Sequence, residues 1–206
     1  MIKKDYLIAI IVGFVTTLFL LPSLTNMKLV GENNFLIMAL FVIIPLCWVI
    51  GLFLGEVLGK WLSFFRQFAK FVIVGFLNSA IDFGVLNFLS IMTGLTSGFL
   101  VGGVNVPGFT LAAINSYFWQ KFWVFRKEKV AGEKTNYSDF ITFSAVVLVG
   151  IFVNGSIVIL LTTFMHPLWG LSPERWLNAS KVVATAVSLI WNFLGFKFLV
   201  FKTKSK

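Results

Sequence analysis

Long apolar stretches alternate with short polar segments along the whole chain. Each stretch runs for roughly 20 residues, the length of helix that crosses a hydrocarbon core about 30 Å thick. Lipid offers no water to the backbone, so continuous apolar stretches of this length favour helices over open sheets. The pattern predicts an all-α integral membrane protein with six transmembrane helices, over residues 6–22, 35–54, 71–92, 107–125, 140–164 and 182–201.

Prolines and glycines refine two of these predicted helices. Pro107 opens the fourth stretch, and proline fits the first turn of a helix because that position needs no N–H donor. The preceding pair, Gly102 and Gly103, indicates a flexible loop. Pro45 falls within the second stretch, where it is expected to kink the helix.

The composition agrees with a membrane protein. The chain has 206 residues, of which 58% are hydrophobic and 12% charged, whereas about 25% of residues are charged in a typical soluble domain. A formal net charge of +9 is also compatible with a nucleic-acid-binding protein. The basic residues, however, lie between apolar stretches and not along one solvated face, so no nucleic-acid partner is predicted.

The distribution of basic residues predicts the orientation. With the N-terminus placed inside, most of the 17 Lys and Arg residues fall on the inner side, and the outer side holds Lys28, Arg175 and Lys181. Cytoplasmic segments carry the excess of Lys and Arg. We therefore expect a multi-pass protein of the cytoplasmic (cell) membrane with both termini in the cytoplasm.

Enzyme and metal chemistry have no support in the sequence. The single cysteine, Cys47, lies in an apolar stretch, and the single histidine, His166, has no nearby Cys, second His or acidic pair. A G-x-x-x-x-G-K-[ST] motif for nucleotide phosphates is absent. The sequence predicts no metal, no cofactor and no catalytic residue, so the chain is not expected to be an enzyme.

The last four predicted helices contain an internal similarity. The segment SYFWQKFWVFRK, which begins at Ser116, resembles NFLGFKFLVFKT, which begins at Asn192, and pairs Lys121 with Lys197. The similarity predicts two helical hairpins of the same orientation, as in transporters built from parallel repeats. The alternative is chance, since membrane interfaces select aromatic and basic residues. The predicted domains are a two-helix transmembrane extension, 1–60, and a four-helix domain, 61–206.

Polar residues within the apolar stretches are candidate site residues. Asn78 and Asp82 lie one turn apart and share one face of the predicted third helix. A charge in the middle of a bilayer costs at least about 2.5 kcal/mol on insertion scales, so such residues face a cavity or a partner. Asp82 either clamps helices together, by bonding Asn154, Asn115 or Ser79, or lines a polar cavity together with Asn78.

Basic residues at the inner boundary are candidates for an anion site. Lys121 and Lys197 lie one turn inside the boundary and correspond under the internal similarity, so they form a matched pair of cations. Ordinary anchoring at the cytoplasmic interface is the alternative for both. The same alternative applies to the basic residues nearer the rim, Arg66, Lys70 and Arg126.

Two motifs resemble those of the GtrA-like family of membrane proteins. RQFAKFVIVGFLNSAID, from Arg66 to Asp82, matches a basic residue and Phe followed by G-x-x-N-[ST]-x-x-D. The segment from Ser116 to Arg126 matches N-[YF]-x-x-N-[KR]-x-[WY]-x-F-[RK], except that Ser116 and Gln120 replace Asn. The resemblance covers about residues 65–203, so the first two predicted helices are additional to the family core.

This resemblance implies translocation of a polyprenyl-phosphate-linked monosaccharide to the outer leaflet, for glycosylation of cell-surface polysaccharide. The implied partners are the lipid-linked sugar and the bilayer, and a membrane glycosyltransferase or a second copy of the chain are further candidates. A glycosyltransferase scaffold and a small proton-coupled exporter are alternative functions. The candidate substrate-binding residues are Asn78, Asp82, Asn115, Gln120, Lys121, Asn154, Asn192 and Lys197, and the candidate phosphate contacts at the cytoplasmic rim are Arg66, Lys70 and Arg126.

Cysteine labelling tests the predicted topology. In a Cys47→Ser background, single cysteines at residues 33 and 175 are expected to react with an impermeant thiol reagent in intact cells, because both positions are predicted to lie outside. Cysteines at residues 3 and 204 are expected to react only after the membrane is opened. External labelling of either terminus in intact cells would contradict the assignment.

Overall fold

The computed structural model describes residues 3–30, 34–124 and 137–195. Within these residues, helices are joined by short turns. The α-helices are α1 (Lys3–Asn26), α2 (Asn34–Leu58), α3 (Phe64–Thr93), α4 (Phe99–Trp119), α5 (Tyr137–Phe164) and α6 (Pro173–Gly195). A π-helical turn, Gln120–Val124, continues α4, and a 3-10 turn, Leu168–Gly170, precedes α6.

Five of the six helices are long and apolar enough to cross a membrane. They are α1, α2, α3, α4 with its π-helical continuation, and α5. The predicted sixth helix ended at residue 201, and residues beyond 195 lie outside the described part of the chain. The all-α class is therefore confirmed for the described residues, and the sixth crossing stays a prediction.

The start of α4 was predicted wrongly. The helix begins at Phe99, so Gly102 and Gly103 are helical and Pro107 lies in its interior and not in its first turn. Helices in lipid tolerate such residues because neighbouring groups re-satisfy the freed carbonyl and no water competes for the backbone. Pro45 lies within α2, as predicted.

The start of α6 was also predicted too late. The oxygen of the Ser172 side chain accepts a hydrogen bond from the N–H of Arg175 at 3.4 Å, and Pro173 occupies the first helical position. This N-terminal capping begins the helix well before its apolar part. Lys181, which was predicted to lie in the outer segment before the helix, is therefore a residue of the α6 interior.

The helices form two compact units, whose boundary within α4 falls at Pro107. The predicted division at residue 60 and the predicted pair of parallel hairpins stay predictions. The first unit comprises Met1–Met92 and Pro107–Lys127, and the second comprises Thr93–Val106 and Glu128–Lys206.

Close backbone approaches hold the first unit together. A Cβ atom added to Gly13 of α1 would overlap the Cα atom of Pro45 in α2. A Cβ atom added to Gly84 of α3 would overlap the carbonyl oxygen of Phe19 in α1. Small residues at helix interfaces are typical of membrane proteins, where dispersion contacts and not water exclusion drive packing. The core of this unit is formed by Ala9, Val12, Leu52, Ile73, Val74, Leu77, Ile81, Ala112, Trp123 and Val124.

Two indole groups join α5 and α6 in the second unit. The Trp176 indole N–H donates to the carbonyl oxygen of Leu161 at 3.1 Å, and the Trp191 indole N–H donates to that of Val146 at 3.0 Å. The earlier tryptophan bonds the later carbonyl, which is the order expected of antiparallel helices. The beginning of α4 adds to this pair, because Gly102 packs directly on the side chain of Ile159.

Candidate functional site

A fully buried lysine lies at the centre of the second unit. The side chains of Lys181 and Asn154 are 0% exposed, and that of Asn105 is 1% exposed. The Lys181 ammonium donates to the amide oxygen of Asn105 at 2.7 Å and to that of Asn154 at 2.8 Å. We call these three residues and Ser188 the Lys181 cluster.

The Lys181 cluster joins three helices. Asn105 comes from α4, Asn154 from α5, and Lys181 and Ser188 from α6. The amide nitrogen of Asn105 donates to the Asn154 oxygen at 2.9 Å, and the amide nitrogen of Asn154 donates to the Ser188 hydroxyl at 3.2 Å. These bonds orient both amide oxygens toward the ammonium group. The cluster is therefore a preorganised binding site for an ammonium group.

Burial makes this ammonium group costly. An ionised amine removed from water is penalised strongly unless hydrogen bonds compensate. A hydrogen bond to a charged donor contributes about 1.5–3 kcal/mol, so the two amide oxygens offset part of that cost. Ionisable residues inside helical membrane bundles usually mark a substrate or ion pathway. Lys181 is therefore our first candidate for a charged residue with a functional role among the described residues of the second unit.

Sequence reasoning predicted Asn154 and missed Lys181. Hydropathy located the apolar part of the last helix, which begins at Val182, and so left Lys181 in the outer segment. The signal that places it correctly is the run Ser172-Pro173-Glu174, a helix start with a capping serine, a proline in the first turn and an acidic residue. A helix that starts there contains Lys181 in its third turn.

Two predicted substrate residues meet in the first unit. The amide nitrogen of Asn115 in α4 donates to the amide oxygen of Asn78 in α3 at 2.7 Å. The Trp119 indole N–H donates to the Asn115 oxygen at 3.0 Å and fixes the orientation of that amide. Both asparagines are only partly buried. The pair links α3 to α4 and leaves polar amide surface accessible at the same place.

Asp82 lies one turn beyond Asn78, at a close contact between α3 and α4. Its side chain is buried, at 5% exposure. A Cβ atom added to Gly108 would lie 2.5 Å from the backbone oxygen of Asp82 and 3.0 Å from its carboxylate Oδ1. Gly108 is therefore required for the approach of α4. Whether Asp82 clamps helices or contacts substrate stays a prediction.

Lys70, predicted to contact phosphate, forms an ion pair. Its ammonium lies 2.8 Å from Oδ1 of Asp5 in α1, and the Trp123 indole N–H donates to the same oxygen at 2.9 Å. The ammonium also lies 5.6 Å from the centre of the Trp123 ring, within cation–π range. Asp5 was not predicted as a partner, because nothing in the local sequence pattern brings α1 beside α3.

The remaining predicted site residues divide into two groups. Arg66 is exposed, and its side chain packs across Gly59 at the turn between α2 and α3. The side chains of Gln120, Lys121 and Asn192, and the residues Arg126 and Lys197, lie outside the part of the chain that the structure describes. Within that described part, no group of three or more His, Cys, Asp or Glu residues is placed to hold a metal.

The sequence profile of the GtrA/DPMS transmembrane domain matches residues 70–201. The chain belongs to the GtrA/DPMS family. It is accordingly a multi-pass membrane protein of a family involved in translocating polyprenyl-phosphate-linked sugars, and the GtrA-like resemblance of its motifs is confirmed. The whole Lys181 cluster lies within the matched GtrA/DPMS domain, whereas α1 and α2 precede it. No curated protein and no solved structure matches the chain.

A double-mutant cycle tests whether Lys70 is structural. Lys70→Met and Asp5→Asn are each expected to lower the free energy of unfolding in detergent by about 1–3 kcal/mol, because each removes the charge that compensates a partly buried ion. The double variant is expected to reveal a coupling energy of about 0.5–3 kcal/mol. Additive effects of the two changes would contradict the ion pair and return Lys70 to the phosphate site.

Proposed function

We propose that this protein translocates a polyprenyl-phosphate-linked monosaccharide across the cytoplasmic membrane, for glycosylation of cell-surface polysaccharide. Membership of the GtrA/DPMS family supports the class of substrate. The observation that carries the proposal is the buried ammonium of Lys181, held by two amide oxygens inside the matched domain. We propose a transport role and no catalytic one.

The chemistry of the substrate explains this choice. A phosphate-linked sugar carries an anionic group and several hydroxyls, which lose their water when they leave the membrane surface. A pathway lowers that cost by supplying a cation and amide groups in place of water. Lys181 supplies the cation, and Asn105 and Asn154 supply amides that hold it. Charge-assisted hydrogen bonds to an anionic oxygen are about twice as strong as neutral ones.

The proposed orientation assigns a depth to the cluster. With both termini in the cytoplasm, α6 begins on the outer side, and Lys181 lies about 12 Å along the helix axis from Pro173 at 1.5 Å per residue. The Lys181 cluster would then serve the outer half of the pathway. We further propose that Asn78, Asp82 and Asn115 contact sugar hydroxyls within the first unit, and that a glycosyltransferase or a second copy of the chain is a partner.

Replacing Lys181 tests whether its buried ammonium group is needed for translocation. In liposomes with a polyprenyl-phosphate monosaccharide, translocation is scored as accessibility of the sugar to impermeant periodate. Lys181→Met keeps an unbranched apolar stem and removes the charged ammonium group. We expect the initial rate to fall about tenfold or more, because a charged hydrogen bond contributes about 1.5–3 kcal/mol and each 1.4 kcal/mol is a factor of ten.

Lys28→Met is the matched control, because Lys28 is an exposed residue at the turn after α1. Its translocation rate is expected to equal that of the wild type. The melting temperature of each variant in detergent separates loss of transport from loss of fold. A folded Lys181→Met variant with the wild-type rate would refute the proposed pathway. Absence of translocation by the wild-type protein would favour the scaffold or exporter alternatives.

Asp82→Asn tests the proposed sugar contact in the first unit. The change keeps the size of the side chain and removes its charge. If the carboxylate binds sugar hydroxyls, charge-assisted bonds become neutral ones of about half the strength, and translocation is expected to drop about tenfold. The melting temperature is expected to stay level or rise. Wild-type translocation would refute the contact, and a variant that fails to fold would assign Asp82 to helix packing.

A further inference from the structure

An apolar groove runs along the surface of the first unit between α2 and α3. It encloses about 260 Å³. Its walls are apolar side chains that repeat at helical spacing on both helices. These side chains include Leu54 and Leu58 on α2 and Phe65, Phe68 and Val72 on α3, and the backbone of Gly51 in α2 also lines the groove.

Two glycines create the groove. A Cβ atom added to Gly55 would overlap that of Ala69, so α2 and α3 touch there and close the floor. One turn earlier, no atom lies within 4 Å of a Cβ atom added to Gly51. The helices therefore leave an open slot beside Gly51 that a flexible apolar chain can enter. A Cβ atom at Gly51 would therefore enter the slot without a clash.

One end of the groove is cationic. Arg66 directly follows the groove residue Phe65, and its side chain packs across Gly59, which directly follows the groove residue Leu58. Lys60 is exposed beside it. The acidic residue Glu56 accepts a hydrogen bond from the Tyr6 hydroxyl of α1 at 2.6 Å and also interacts electrostatically with Arg66. Two basic residues against one acidic residue leave this end with a net positive charge. An apolar slot that ends at two basic side chains is complementary to an amphiphile with an anionic head.

We propose that this groove binds the polyprenyl chain of the lipid-linked sugar, with the phosphate beside Arg66 and Lys60. The inference rests on the proposed function. A polyprenyl chain carries regular methyl branches and double bonds, so it is wider than an acyl chain and loses less conformational freedom when it is fixed. The opening at Gly51 accepts such branches. The α2 wall precedes the matched family domain, so the groove assigns a role to the added N-terminal helices.

Photo-crosslinking tests the groove directly. The full chain in phosphatidylcholine nanodiscs is irradiated with polyprenyl phosphate that carries a diazirine on its chain, and mass spectrometry maps the sites of labelling. Labelling is expected on the groove faces of α2 and α3. Gly51→Leu is expected to lower the yield about tenfold, the factor for displacing about two buried methylene groups. Gly51→Ala is expected to have an intermediate effect.

Gly103→Leu is the matched control. Gly103 is also a helical glycine whose added Cβ atom meets nothing within 4 Å, and it does not line the groove. Its labelling yield is expected to equal that of the wild type. Arg66→Gln is expected to lower the yield for polyprenyl phosphate and to leave that for the uncharged polyprenol unchanged.

Two outcomes would overturn the groove. One is equal labelling by phosphatidylglycerol with a diazirine on its acyl chain, which would indicate ordinary bilayer lipid. The other is a Gly51→Leu variant labelled as strongly as the wild type. Crosslinking does not require transport, so the two proposals fail separately. If the groove is labelled as expected but no translocation occurs in liposomes, the groove proposal stands and the transport proposal is refuted. If translocation occurs but labelling is unspecific, the transport proposal stands and the groove proposal is refuted.

Discussion

A polar side chain enclosed among lipid-embedded helices has no water to bind, so it needs a partner on the protein. This constraint explains where the helices of each unit meet. Asn115 reaches from α4 to Asn78 in α3 at 2.7 Å, and Asn105 reaches from α4 to Asn154 in α5 at 2.9 Å. Apolar packing between helices discriminates weakly when lipid is equally apolar, whereas a hydrogen-bonded amide pair specifies one register.

The same constraint limits what the Lys181 ammonium can do. In water it would be solvated at every donor, but in the second unit two amide oxygens replace water. The two amides that accept these bonds are themselves neutral. The donors of an arginine fork are fixed in one plane, whereas a lysine ammonium is a compact group with three rotatable donors. A compact ammonium of this kind fits the proposed contact with a single phosphate oxygen.

Much of the fold could be predicted from the sequence because lipid imposes helices of a minimum length. The apolar stretches located α1, α2, α3 and α5 to within several residues. The starts of α4 and α6 were missed because hydropathy follows side chains, whereas a helix begins where its backbone is capped, as at Ser172. The site was harder, since Asn78 and Asn115 were recognisable as intramembrane polar residues, but the partners of Lys70 and Lys181 depend on which helices touch.

The added helix α1 is fastened to α3 near both of its ends. Near one end, Asp5 binds Lys70 at 2.8 Å. Near the other, the Asn26 amide nitrogen donates to the oxygen of Asn87 at 2.8 Å, and the Asn87 nitrogen donates to Ser23 at 3.1 Å. The residues between these fastenings span about 30 Å of helix, the thickness of a hydrocarbon core.

Fastening at two such distant points resists both sliding and rotation of α1 on α3, because either motion would leave a polar group unpaired in lipid. The close contact of Gly13 in α1 with Pro45 in α2 also restricts movement of α2. The two walls of the proposed polyprenyl groove are therefore held at a fixed separation before any lipid enters. A preorganised groove spends less of its binding energy on ordering itself. The N-terminal helices therefore contribute a rigid binding surface. A flexible attachment to the family domain would not hold the two groove walls at a fixed separation.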